Sequence, residues 1–199
     1  MFATYLAWAC VALVLVTSVG LLVSRDWRWN LGLMAAQYLG VFILISQTWP
    51  FGLASVKLVT GWMACAALGV TRLGLPEGES LLETAWPQGR AFRLFAASIV
   101  AILVLAGSPN METIIPGINP SVVRAGLLLT GMGLLHLGIT AEPLRVALGL
   151  LTFLAGFEVL YASIETSVLL AGLFAVVNLG LALVGSYWMS AAQPAESAE

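Results

Sequence analysis

Polar residues in this chain come in short knots, and between the knots lie long unbroken runs of apolar positions. A helix crosses a hydrocarbon core of roughly 30 Å with about 20 residues at ~1.5 Å rise each. That measure gives seven candidate runs: residues 3–23, 31–49, 51–70, 91–106, 121–138, 145–163 and 167–189. The first ends at the knot Ser24-Arg25-Asp26-Trp27-Arg28-Trp29-Asn30, and the second stops at Pro50, directly before the third, so these two predict a tight helical hairpin. A polar stretch from Thr71 to Arg93 carries Arg72, Glu77, Glu79, Glu83 and Arg90. The fourth run is short and begins beside Arg93, an arginine able to snorkel. Ser108 to Pro120, with three prolines, predicts a turn-rich loop, and the small, acidic stretch 190–199 predicts a disordered tail. The runs do not alternate between apolar and polar positions, so spanning β-strands are excluded. The first run has no basic leader and no small-x-small cleavage site, and it carries Trp8 in its middle. It reads as a retained span rather than a signal peptide.

Composition agrees with the pattern. Of 199 residues 60% are hydrophobic and only 9% charged, against roughly 45–50% and about 25% in soluble domains. Too few polar side chains exist to cover a water-soluble globule. The expected fold is an all-α integral membrane protein, a single bundle of about seven transmembrane helices. Eight Lys and Arg against ten Asp and Glu give no basic field for nucleic acid.

Charge also predicts orientation. With the N-terminus outside and the C-terminus cytoplasmic, Arg25, Arg28, Arg72, Arg90, Arg93 and Arg145 all fall on the inner side, as the positive-inside rule requires. Trp27, Trp29 and Trp188 then mark the inner interface and Trp49 the outer one. The expected location is the plasma (inner) membrane.

Few charges remain within the spans, where each costs about 2.5–3.5 kcal/mol at a helix centre on insertion scales. Lys57 lies ~9 Å inside the outer boundary of the third span and Glu158 ~8 Å inside the same boundary on the sixth. Opposite charges at a common depth suggest either a titrating site with its partner or a structural ion pair, and snorkelling of each alone is a third reading. Asn178, near the middle of the seventh span, and Gln37, in the second, read as interhelical hydrogen-bonding residues. His136 reads as an interfacial anchor, Arg124 as an outward snorkeller and Glu165 as a loop carboxylate. Heptad-spaced glycines (Gly126 and Gly133, Gly131 and Gly138, Gly149 and Gly156), together with Gly172, Gly180 and Gly185, predict close helix packing.

Motifs of soluble enzymes are missing: no phosphate-cradling Gly loop, no Gly-x-Ser-x-Gly, no His-Glu-x-x-His. Cys10 and Cys65 both lie in apolar runs and suggest neither disulfide nor metal site, and a single His gives a metal no ligand set. No cofactor, no metal and no catalytic chemistry by this chain alone are expected.

The string Gly156-Phe157-Glu158-Val159-Leu160-Tyr161-Ala162-Ser163 resembles the glutamate-bearing second helix of the smallest, three-helix antiporter-like subunit of complex I, chain K. The run ending Ala175-Val176-Val177-Asn178-Leu179-Gly180-Leu181-Ala182-Leu183-Val184 is similar to that subunit's third helix. With Gly32 to Gln47, Lys57 and Arg72 included, the layout resembles the longer hydrogenase-4 component E type of subunit. The resemblance implies an intramembrane glutamate at Glu158 and larger membrane chains as partners. It departs at Asn178, where the family's third helix holds a second carboxylate, and in the missing asparagine after the glutamate string.

The resulting expectation is a non-catalytic or proton-path membrane subunit of an ion-translocating redox or antiporter complex. Glu158 would titrate, Lys57 would be its charge partner, and Asn178 would hold hydrogen bonds or water. A purely structural scaffold subunit is the alternative, and a stand-alone small-solute transporter a third reading. Expected partners are other integral membrane subunits and lipid, with no soluble substrate.

Overall fold

A computed structural model describes residues 2–75, 89–114 and 117–192. Seven α-helices make up the described chain, α1 (Phe2–Val23), α2 (Trp27–Ile45), α3 (Phe51–Leu73), α4 (Arg90–Ile114), α5 (Pro120–Gly138), α6 (Pro143–Ala162) and α7 (Val168–Ala191), with no strand among the described residues. Each is long and apolar enough to cross a membrane, and the chain is a multi-pass membrane protein. The acidic stretch around Glu77, Glu79 and Glu83, and all but the first three residues of the expected tail, lie outside the described residues.

Among the element boundaries that differ from those expected, three have a local reason. Helix α2 begins at Trp27 rather than Leu31 because Asp26 caps it, its carboxylate accepting the Arg28 amide at 2.9 Å. Helix α6 begins at Pro143 rather than Arg145, since proline at the first helical position lacks only an N–H that has no partner there. The greatest difference is α4, which continues through Pro109 to Ile114 where a loop from Ser108 was expected. Proline at 109 removes the amide that would bond the Leu105 carbonyl. The Ser108 hydroxyl donates to that carbonyl instead, at 3.4 Å.

Cross-links sort the helix ends into two groups. At one end Arg93, early in α4, donates from Nη1 to the Leu22 carbonyl at 3.0 Å. Arg145, early in α6, donates to the Ser24 carbonyl and lies 3.2 Å from Glu142. At the other end Trp49 donates from its indole to the Glu165 carbonyl at 3.0 Å. There Arg124 donates to Ser108 and stacks over Trp8, a tethered arginine rather than a freely snorkelling one. Gly185 against Leu68 and Ala147 brings the C-terminal part of α3 and the start of α6 to the first end. All six arginines at 25, 28, 72, 90, 93 and 145 therefore gather at one end of the bundle.

The helices stand in two facing rows, α1-α2-α3 and α5-α6-α7, with α1 against α5, α2 against α6 and α3 against α7; α4 lies outside against α1 and α5. Facing partners run in the same direction, as the cross-links require. The tightest contact is α5 with α6: a Cβ on Gly133 would fall 2.6 Å from the Phe153 amide nitrogen, and one on Gly156 2.5 Å from that of Thr130. Only glycine lets these backbones approach so closely. Gly138, Gly172 and Gly180, by contrast, face open space.

Candidate functional site: a buried ion pair between three helices

Lys57 on α3 and Glu158 on α6 meet. The ammonium Nζ lies 2.8 Å from Oε1 and 2.8 Å from Oε2 of the carboxylate, with both residues about 5% exposed. Asn178 on α7, wholly buried, presents its Oδ1 to Nζ at 3.3 Å. The three residues singled out from the sequence thus share one site, where the ends of the two rows face each other. Lys57 reaches it because α3 and α7 are facing partners, and Glu158 because α6 packs beside α7.

Tyr38 of α2 completes the cluster. Its hydroxyl donates to Asn178 Oδ1 at 2.9 Å, and Nζ of Lys57 sits 5.1 Å from its ring centroid, within cation–π range. The ring fits because Gly61, one turn after Lys57, carries no side chain: a Cβ there would fall 2.4 Å from the tyrosine ring. Sequence reasoning missed Tyr38, since an aromatic residue in an apolar run looks like core. Gly61 at i+4 from Lys57 was the available signal, marking room beside the lysine. Asn178 Nδ2 has no hydrogen-bond partner among the described residues, so this buried site retains an unused donor.

A narrow crevice lined by Trp49, Leu53, Val56, Phe174 and Ala175 leads between α3 and α7 to the pair, with room for about one water. On the arginine side of the cluster lies a second buried polar link. Ser18 of α1 donates to Gln37 Oε1 at 3.4 Å, and Gln37 Nε2 donates to Thr152 Oγ1 of α6 at 3.3 Å. Gln37 is thus an interhelical hydrogen-bonding residue in the structure, with partners the sequence did not single out. One heptad nearer the arginine end, on the same two parallel helices, stand Asn30 and Arg145, both buried. Buried polar side chains therefore recur along the α2–α6 seam from the arginine end to the ion pair.

His136, expected as an interfacial anchor, is instead buried at 2% exposure, on a helix that packs against α1, α4 and α6 together. Glu165 is exposed in the α6–α7 connection. No group of three or more potential metal ligands occurs among the described residues. What the site offers chemically is a desolvated carboxylate whose charge is balanced by one ammonium, with an amide and a phenol in hydrogen-bonding reach. Comparison with protein-family models, with curated proteins and with solved structures finds no match to this chain.

Proposed function

We propose that this chain is a membrane subunit of an ion-translocating redox or antiporter complex, akin to hydrogenase-4 component E or chain K of complex I. In this reading Glu158 and Lys57 form the charge-handling site of a proton path, with Asn178 and Tyr38 as its hydrogen-bonding wall. The carrying observation is the Lys57–Glu158 pair itself, desolvated and shared among helices of both rows. Intramembrane ionisable residues that face a bundle interior and pair with one another are characteristic of proton and ion pathways. The recurrence of Gln37, Thr152, Asn30 and Arg145 along one seam supports the same reading. The arginine-rich end is the cytoplasmic one by the positive-inside rule, with the N-terminus outside and the plasma membrane as the site of action.

The test is Glu158→Gln in the native membrane assembly. Assembly should be retained while coupled proton transport falls severely. Unchanged proton stoichiometry at full electron or counter-ion flux overturns the role. Chains co-purifying in mild detergent should include large antiporter-like subunits.

A scaffold role is the second reading, favoured by the closed geometry of the pair, in which one ammonium takes both carboxylate oxygens. If the double variant Lys57→Met/Glu158→Met assembles and pumps normally, this second reading replaces the first.

A further inference from the structure

The arginine end holds a second feature, remote from the ion pair. An open crevice of about 600 Å³ lies where the α1–α2 elbow faces the start of α4. Its membrane-side walls are Gly20 and Val23 of α1 and Leu33 of α2, all apolar. Its rim carries the guanidinium groups of Arg25 and Arg90, both exposed, and the indole of Trp29, 69% exposed. Among the described residues neither guanidinium has an ionic or hydrogen-bonded partner. The other arginines at this end are engaged: Arg93 on the Leu22 carbonyl, Arg145 on Ser24 and Glu142, and Arg28 over the Trp27 ring. Asp26 also lines the rim, but its carboxylate accepts the Arg28 amide as the cap of α2.

We infer that this crevice binds an anionic phospholipid, the phosphodiester lying between Arg25 and Arg90 and the first part of an acyl chain along Gly20, Val23 and Leu33. Two guanidiniums on one rim suit a phosphate, which each can engage through paired N–H donors. Basic pockets between transmembrane helices hold anionic head groups in this way, and the exposed indole marks the water–hydrocarbon boundary at the same level. A free phosphate meets the arginines but gains nothing from the apolar walls. Depth matches too: from the end of α1 at Val23 down to Gly20 is about 4.5 Å of helix rise, so the apolar wall continues below the level of the arginines.

Native mass spectrometry of the purified full-length chain, reconstituted with phosphatidylglycerol and phosphatidylcholine in equal amounts, tests this. The wild type should retain phosphatidylglycerol preferentially, and Arg25→Gln/Arg90→Gln should lower that retention roughly tenfold or more. Arg28→Gln, at the same end but off the crevice, should retain it as the wild type does. Leu33→Trp, which fills the apolar wall and leaves both arginines, should also lose it. Equal loss in Arg28→Gln would reduce the effect to diffuse surface charge and overturn the site. Full retention in the double arginine variant or in Leu33→Trp overturns it as well, and so does displacement of the lipid by millimolar inorganic phosphate. Unaltered elution volume and helical circular dichroism in each variant keep loss of fold from imitating loss of the site.

Discussion

Lys57 and Glu158 illustrate how much a single charge in lipid tells and what it leaves out. Each advertises itself in the sequence, because an apolar span gives a charge no other purpose than function or a partner. Counting residues from the span ends even puts them at one depth. Their contact, however, depends on α3 and α6 being near each other, and no local pattern carries that. Tyr38 lies further from view, since its hydroxyl has meaning only through Asn178 on a helix 140 residues away in the chain. Breaking the pair one side at a time should be far worse than removing both sides. Lys57→Met strands a buried carboxylate, a change that costs about 3–5 kcal/mol in comparable soluble cases, whereas replacing both partners with apolar residues is often neutral. Thermal unfolding in detergent should therefore show a clear drop for Lys57→Met and for Glu158→Leu, with recovery toward wild type in Lys57→Met/Glu158→Leu. Additive losses in the double variant would mean that the two charges are stabilised independently.

At the level of the helix, length and hydropathy are properties of neighbouring residues, so the seven spans were legible from the chain alone. Their ends were less so. Asp26 and the Pro143 turn belong to helices because of capping geometry, and α4 survives Pro109 because Ser108 supplies the missing donor to Leu105. The glycines divide in the same manner. Gly133 and Gly156 sit where α5 and α6 touch backbone to backbone, while Gly180 faces open space; spacing in the sequence does not separate the two kinds. Gly156→Leu should force the α5–α6 contact apart and abolish recovery of folded protein from the membrane. Gly180→Ala should be tolerated and raise stability by up to about 0.5–1 kcal/mol, the ordinary gain of alanine over glycine inside a helix. Equal behaviour of the two variants, measured as yield and melting temperature after solubilisation, would contradict the packing described.

Over the whole molecule, the polar groups segregate along the bundle axis: six arginines at one end, an ion pair toward the other, and Gln37 and Thr152 between them. An arrangement of this kind has a definite orientation in a charged, polarised membrane. Single cysteines test it directly, since native Cys10 and Cys65 are buried. An impermeant thiol reagent applied to intact cells should label Thr48→Cys, on the exposed turn before Pro50, and not Arg28→Cys. Inverted vesicles should give the reverse pattern, and the opposite result in both preparations would turn the bundle over. Hydrophobic runs, the charge count and the depth of each intramembrane charge were all determined by the sequence, because transfer of a segment into hydrocarbon depends on the residues of that segment alone. Only tertiary structure decided that α1-α2-α3 and α5-α6-α7 face each other, that Asn178 and Tyr38 wall the pair, and that Arg25 and Arg90 share the rim of an apolar crevice. Within lipid no hydrophobic drive selects one helix neighbour over another. Pairing rests on close backbone approach and on a few buried polar contacts, which exist only once distant segments have met.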